Sequence, residues 1–291
     1  MSELERAVRV LASGGLVAFP TETVYGLGAS AANEQAVARI FAAKGRPPGR
    51  ALTVHLGDAS GAPRWARWTA DAEALAKRFW PGPLTLVMPR MPQVPDIVTG
   101  GQSTVGVRVP DHPLALDLLR RFGDGVAAPS ANPFGAPSPT TAQHVRDGLG
   151  DAVDMVLDGG ACKLGLESTV LSLVGAPRIL RRGALDAAAL EGVLGRSVAT
   201  PEVDRTTATA TVRLVDADGV RRSAGPVLSW TEPSEGVLWH RAHDEPQAFA
   251  RDLYEVLHRL GRNGPVDVQM PPETTDWDAI RDRLRRLAGQ G

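Results

Sequence analysis

Positive charge and small hydroxyl groups recur at the ends of apolar runs in the first part of this chain. The run Gly15-Leu16-Val17-Ala18-Phe19 leads into Pro20-Thr21-Glu22-Thr23-Val24-Tyr25-Gly26-Leu27-Gly28. Hydroxyls and a carboxylate after a buried strand stand where open α/β sheets hold small ligands. Gly26 and Gly28 are expected to permit unusual backbone shapes and close approach of a ligand. Lys44 and Arg46 flank Gly45 at the end of a helical stretch. The pair suits a polyphosphate, Arg forking two oxygens and Lys acting as a point charge. It equally suits a helix C-terminus, where a cation gains about 0.3–1 kcal/mol from the dipole. Arg108 sits in the alternating run Thr104-Val105-Gly106-Val107-Arg108-Val109, where the valines share one face and Gly106 and Arg108 the other. A guanidinium there must be paired or face a ligand, because burying an unpaired charge is costly.

Further along, Ala127-Ala128-Pro129-Ser130-Ala131-Asn132-Pro133 places Ser and Asn two apart after a buried strand, as ligands for phosphate, ribose or carboxylate or as a simple Asx or Ser turn. Glu167-Ser168-Thr169 opens one strand, and Leu180-Arg181-Arg182-Gly183 closes another. His55 lies in the apolar run Leu52–Leu56, where a lone histidine is more often a hydrogen-bonded core residue than a ligand. Phe79-Trp80-Pro81-Gly82-Pro83-Leu84-Thr85 reads as a rigid structural turn. Each signal is weak alone. Together they describe a preformed site for anions without a catalytic nucleophile. In such a site Glu22 has more use in holding a Lys or Arg side chain, or a metal, than as a base.

The elements that must position these groups alternate. Helices are expected over 2–13, 33–43, 69–79, 113–122, 141–149 and 186–194. Strands are expected over 16–19, 52–56, 84–88, 104–109, 125–128, 152–157, 168–174 and 178–180. Ser2 with Glu5 reads as a capping box, and Asn33 and Gly45 as cap and stop of the second helix. The mixture predicts an α/β sheet covered by helices. A first domain over 1–195, a linker over 196–211 rich in Thr, Pro and Arg, and a small α/β domain over 212–291 follow from the pattern. In the tail, strands are expected over 211–215, 226–230, 236–240 and 266–270, with helices over 247–261 and 276–288.

Composition narrows the class. The chain has 291 residues, 43% hydrophobic and 22% charged, with formal net charge −1. A broad electrostatic grip on nucleic acid is not indicated, and no direct stable nucleic-acid binding is expected. The one cysteine, Cys162, excludes an internal disulfide, reads as a small buried filler and fits a cytoplasmic protein. No apolar run approaches the roughly 20 residues that cross a bilayer, so no membrane association is expected. P-loop, dinucleotide-binding, zinc and nucleophile-elbow motifs are missing, and no metal site is expected.

The ordered set Pro20–Leu27, Lys44–Pro47, Trp80–Thr85, Val107–Pro110, Pro129–Asn132, Ser138–Thr141, Glu167–Thr169 and Arg181–Gly183 resembles the marks of the YrdC-like threonylcarbamoyl-AMP synthases: P-T-E-T-x-Y-G-L, K-x-R-P, W-P-G-P-x-T, V-x-R-x-P, P-S-A-N, S-P-T-T, E-S-T and R-x-G. The tail looks like the extra C-terminal domain of the two-domain form, shortened. The resemblance implies a large twisted mixed sheet and a nucleotidyltransferase. L-threonine and bicarbonate give an N-carboxy-threonine. Its carboxylate attacks the α-phosphorus of ATP, giving threonylcarbamoyl-AMP and pyrophosphate, with Mg²⁺ on the phosphates. A downstream complex then passes the threonylcarbamoyl group to adenosine in tRNA. By the same resemblance Thr23, His55, Arg108 and Ser168 surround threonine. Lys44, Arg46, Thr104, Ser130, Asn132, Ser138 and Arg181 (or Arg182) surround ATP, with Lys44 and Arg46 as the catalytic residues; Arg50, which stands in place of a family amide, is kept as a further ATP contact through its reach to a phosphate.

The chain departs from that pattern twice. Arg50-Ala51-Leu52 stands where the family has Asn-Pro-Leu, and the S-P-G-M-x-x-x-H-Y-A-P linker has only a faint echo in Ser223-Ala224-Gly225-Pro226. Two other readings compete: a related carbamoyl-adenylate former acting on carbamoyl phosphate, disfavoured by the single cysteine, and a non-catalytic RNA-binding module with a basic concave face.

Overall fold

The computed structural model describes residues 1–200 and 212–289. In the first part the elements run α1 (Glu3–Ala12), β1 (Val17–Phe19), β2 (Gly26–Ser30), α2 (Glu34–Lys44), β3 (Thr53–His55), α3 (Ala70–Phe79), β4 (Leu84–Pro89), α4 (Asp96–Thr99), β5 (Thr104–Arg108), α5 (Pro113–Phe122), β6 (Val126–Ala127), α6 (Ala142–Leu149), β7 (Met155–Val156), β8 (Thr169–Ser172), β9 (Arg178–Arg181) and α7 (Ala187–Leu194). The strands form one mixed sheet in the order β7-β1-β2-β6-β3-β5-β4-β8-β9. The tail carries β10 (Val212–Val215), α8 (Ala217–Arg221), β11 (Val227–Ser229), β12 (Trp239–Arg241), α9 (Pro246–Leu260), β13 (Val266–Gln269) and α10 (Asp278–Leu287). Its sheet runs β10-β13-β11-β12 with every neighbouring pair parallel. A large mixed sheet with helices, and a second small sheet, match the fold class expected from the sequence.

The chain divides into two compact units. One is Met1–Phe134 with Pro139–Cys162 and Glu167–Pro201; the other is Gly135–Ser138 with Lys163–Leu166 and Glu202–Gly291. Two short segments thus group with the tail. Of the linker expected over 196–211, residues 201–211 lie outside the described residues, as does Thr211 of the first tail strand. No helix among the described residues is long and apolar enough to cross a membrane.

Local chemistry sets the helix ends. The Ser2–Glu5 capping box forms reciprocally, Glu5 N donating to Ser2 Oγ at 3.2 Å and Ser2 N to Glu5 Oε2 at 2.9 Å. Asn33 caps α2 by accepting from Ala36 N at 3.1 Å, and Gly45 ends it at φ 58°. That left-handed glycine puts Lys44 on the last helical turn and reverses the chain before Arg46.

The main sheet has two different faces. In β1, Leu16 and Ala18 join the core under α2, α3, α6 and α7, whereas Val17 and Phe19 join the core under α1 and α5. This is the period of two expected of a strand buried on both sides. In β5, Val105 and Val107 join the first core, so Gly106 and Arg108 face the side of α1 and α5.

Strand β2 is a finding that the sequence pattern does not announce. It pairs antiparallel with β1, Val17 opposite Gly28 and Phe19 opposite Gly26, and makes Thr21–Tyr25 the connection of a hairpin. Its glycines answer to packing. Neither has positive φ, and a Cβ on Gly28 would lie 2.7 Å from Val126 Cγ1 and 2.8 Å from Phe19 Cε1. On Gly26 the nearest atom, Phe19 Cζ, would be at an ordinary 3.4 Å. Close strand packing accounts for Gly28, and neither glycine takes the unusual backbone shape expected of it. Gly28→Ala is expected to cost about 1–3 kcal/mol by overpacking, read as a melting temperature lower by several degrees. Gly26→Ala should stay close to the parent protein in the same melt.

Candidate functional site

Arg108 and His55 are registered partners on the parallel pair β5–β3, and Gly106 pairs with Thr53 one step earlier. Registered residues share a face, so these four stand together on the face that carries Phe19 and Val126 nearer β1. The Phe19 ring meets the His55 ring edge-on at 5.9 Å. Gly106 leaves room there: a Cβ would touch Thr85 Cγ2 at 3.2 Å and Thr53 Oγ1 at 3.7 Å. The sheet face thus changes from apolar to polar between β1 and β4.

Arg108 is buried at 5% exposure. Its Nη2 pairs with Glu22 Oε1 at 2.7 Å and donates to Thr23 Oγ1 at 3.0 Å, and its Nε donates to Gly82 O at 3.2 Å. Glu22 therefore holds an arginine, one of the roles its sequence context suggested, and its other oxygen accepts from Asp111 N at 3.0 Å. Thr21 Oγ1 lies 2.8 Å from Thr23 Oγ1 and donates to Val24 O at 2.6 Å, which fixes the hairpin connection. Burial, and then the neighbouring Arg108 charge, push the His55 pKa down to about 3. His55 is a neutral imidazole at physiological pH, suited to hydrogen bonding and too weakly basic to take a proton. Its Nδ1 is buried without a hydrogen-bond partner among the described residues.

Ser168 joins this group through the Trp80–Thr85 turn. Gly82 N donates to Val109 O at 2.8 Å and Thr169 N to Pro83 O at 2.9 Å, so the turn ties the end of β5 to the start of β8. Ser168 Oγ lies 2.8 Å from Thr85 Oγ1. Arg181 donates from Nε and Nη2 to Ser168 O at 3.1 and 2.8 Å, and from Nη2 to Ser168 Oγ at 2.9 Å. Gly183 lies flat on the same backbone, where a Cβ would come within 2.4 Å of Glu167 O. This explains the glycine of the R-x-G signature. Thr85 was read only as part of a structural turn; the available signal was a hydroxyl in an otherwise apolar strand.

The second group centres on Lys44. Its Nζ donates to the carbonyls of Ser130 and Asn132, and its own carbonyl accepts from Phe134 N at 2.7 Å. Burial, with Arg46 nearby, pushes its pKa down to about 7. Arg46 donates to Ala51 O at 3.2 Å and its Nε is buried without a hydrogen-bond partner among the described residues. Burial, and then Arg50, lower its pKa to about 10. The Arg50 guanidinium lies 5.1 Å over the Phe134 ring. Cations brought this close lower one another's affinity for protons, and an anion would relieve them. Asn132 Nδ2 donates to Pro133 O at 2.9 Å. Thr104 opens β5 opposite Pro89. Ser138 alone of the expected set falls in the second unit.

Tyr25 of the first motif and the single cysteine are structural. Tyr25 is fully buried, its hydroxyl donating to Gly160 O at 2.8 Å and accepting from Gly159 N at 3.2 Å, and burial raises its pKa to about 12. The Cys162 thiol is buried and pushed up to about 12, so it offers no thiolate.

Comparisons with known proteins agree along the whole chain. A family model covering Sua5, YciO and YrdC proteins, described as telomere recombination, matches residues 9–183. One described as the C-terminal domain of threonylcarbamoyl-AMP synthase matches residues 192–289. The threonylcarbamoyl-AMP synthase of Pyrococcus abyssi is 38% identical across 97% of this chain and 93% of its own length. That of Bacillus subtilis is 46% identical across 66% of this chain and 57% of its own. The solved structure of P. abyssi Sua5 complexed with L-threonine is 34% identical, covers 99% of this chain and 94% of that one, and superposes with a TM-score of 0.89. The chain belongs to the Sua5/YciO/YrdC family of threonylcarbamoyl-AMP synthases, in the form that carries the additional C-terminal domain.

Proposed function

We propose that this chain joins L-threonine, bicarbonate and ATP into threonylcarbamoyl-AMP, with the two polar groups of its main sheet dividing the substrates. The observation that carries the reading is the likeness, over 99% of the chain, to a protein solved with L-threonine bound. The threonine amine bonds to the bicarbonate carbon, a C–O bond of bicarbonate breaks with its oxygen leaving as water, and a carbamate forms. A carbamate oxygen then bonds to the α-phosphorus of ATP, and the bond from that phosphorus to the β-phosphate oxygen breaks with its electron pair leaving on pyrophosphate. Bicarbonate, the threonine carboxylate and the triphosphate are all anionic, so the protein's part is positioning and charge stabilisation.

Arg108 holds the threonine carboxylate, and Thr23, His55 and Ser168 surround the amino acid. The Glu22 pair keeps the Arg108 fork aimed before threonine arrives. His55 Nδ1 gains the hydrogen-bond partner it lacks. Lys44 and Arg46 hold the triphosphate, while Ser130, Asn132 and Thr104 line the nucleotide and Arg50, stacked on Phe134, adds a further cation. Arg181 acts at the junction, bonded to Ser168. Magnesium enters on the triphosphate, its usual way of reaching such sites. The product passes to a tRNA threonylcarbamoyl-transferase complex in the cytoplasm. The RNA-binding alternative is not favoured: the arginine that anchors the site is buried and paired, the opposite of a phosphate-tracking surface.

Incubation with ATP, threonine and bicarbonate should release pyrophosphate only when threonine is present; RNA binding with a steep salt slope and no pyrophosphate supports the binding module instead. In the same assay Arg108→Lys, which keeps the charge and loses the fork, should raise the threonine KM about 10–100-fold and leave the ATP KM within about twofold. Lys44 must be charged to hold phosphate, and its depressed pKa of about 7 in the free protein sets a limb in kcat/KM for ATP. The ratio should fall as pH rises through that value. Lys44→Arg, whose guanidinium stays charged, should move the fall to higher pH; a fall at the same pH in both proteins assigns it elsewhere.

A further inference from the structure

At Arg50 the chain departs from its family's pattern: a guanidinium stands in place of an amide. The loop that carries it is pinned on both sides. Gly49 turns the chain at φ +84° just before Arg50. A Cβ on Gly100 would collide with Gly49 O, so the loop lies directly on the end of α4. Two residues beyond Arg50, Leu52 N donates to Val98 O at 2.8 Å.

The side chain is held as well. Its guanidinium lies 5.1 Å over the Phe134 ring, and Phe134 is itself tied to the end of α2 by its bond to Lys44 O. A guanidinium stacked on a ring keeps its edge nitrogens for other partners. Among the described residues Arg50 makes no hydrogen bond or ion pair. Arg46 donates to Ala51 O, the carbonyl next to Arg50, and keeps a buried Nε without a hydrogen-bond partner among the described residues. Burial, and then the Arg50 charge, lower the pKa of Arg46, so the two guanidiniums feel one another. Neither 44–57 nor 125–146, the segments that gather these cations and their loop, contains an Asp or Glu. Lys44, Arg46 and Arg50 thus receive no neutralising carboxylate from the segments that hold them.

We propose that Arg50 takes over part of the charge that magnesium otherwise supplies to the triphosphate, so that this chain holds metal-free ATP at least as firmly as the magnesium complex. Mg²⁺ cancels part of the phosphate charge, and the attraction between a fixed cation and the nucleotide falls with it. An amide in the same place carries no charge and gains far less from the metal-free form. The proposal rests on the assignment of the Lys44 group to ATP, and it concerns nucleotide binding and not the transfer step.

The test is calorimetric titration of the full chain with ATP in EDTA and with ATP in excess magnesium, both at one ionic strength. The parent should bind the metal-free form as tightly as the magnesium form, or more tightly. Arg50→Asn, which restores the family's amide, should weaken metal-free ATP about tenfold, the size of one lost charge-assisted contact. The same variant should weaken the magnesium form by no more than about threefold. Arg50→Lys, which keeps the charge, should recover most of the metal-free binding. Equal weakening of both forms by Arg50→Asn makes Arg50 a support for the loop and overturns the proposal, as does an unchanged affinity for metal-free ATP. Should that variant fail to fold in a thermal melt, Arg50→Gln takes its place under the same criterion. A parent that binds neither form defeats the nucleotide assignment and this proposal together. A parent that binds ATP but releases no pyrophosphate with threonine defeats the proposed reaction alone, and the two titrations still decide this one.

Discussion

A guanidinium with 5% exposure cannot be left to itself. Taking an ion out of water costs several kcal/mol, and removing one partner of a buried pair costs about 3–5 kcal/mol. Arg108 meets that demand with Glu22 Oε1, Thr23 Oγ1 and the Gly82 carbonyl. The partners come from two turns far apart in the chain, so the demand reaches far beyond one residue. The hairpin connection between β1 and β2 must present Glu22 and Thr23. The turn before β4 must present Gly82. The parallel pairing of β3 with β5 must bring His55 alongside. An arginine at one point of one strand thereby fixes two turns and a register.

The same constraint accounts for Gly28, Gly106 and Gly183. Gly28 lets β2 lie against Phe19 and Val126, which draws the Glu22 turn onto the sheet face. Gly106 leaves room beside Thr85, and Gly183 lets the chain after β9 lie on the Glu167–Ser168 backbone. None of these positions needs a left-handed backbone. They are small because other groups must come close, and the polar side chains reach one another only for that reason. The group around Lys44 is organised differently. There Gly45 turns the chain at the end of α2, and Lys44 ties the following loop by its carbonyls.

Most of the fold was legible in the sequence because its helices announce themselves by caps and its strands by apolar runs. Asn33 and Gly45 bound α2 as expected, and the alternation in 104–109 put Arg108 opposite the valines. Strand β2 was not legible: Gly-Leu-Gly-Ala-Ser has neither the bulk nor the alternation of a strand, and it exists because β1 and β6 lie on either side of it. In the site, the residue types were readable and their partners were not. Nothing local says that Glu22 meets Arg108, that Thr85 meets Ser168, or that Ser138 meets Arg283 from the far end of the chain. Those pairs follow from strand order and tertiary contact, which spacing along the sequence does not encode.

The central proposal is that the Arg108 guanidinium, held in place by Glu22, recognises a carboxylate. The most direct measurement is calorimetric titration of the full chain with L-threonine and with L-threoninol, which keeps the amine and both carbon substituents of threonine but replaces the carboxylate by an alcohol. A charge-assisted contact from the remaining Arg108 nitrogen in a buried site predicts binding of threonine at least about 100-fold tighter than threoninol. Equal affinity for the two would contradict the account.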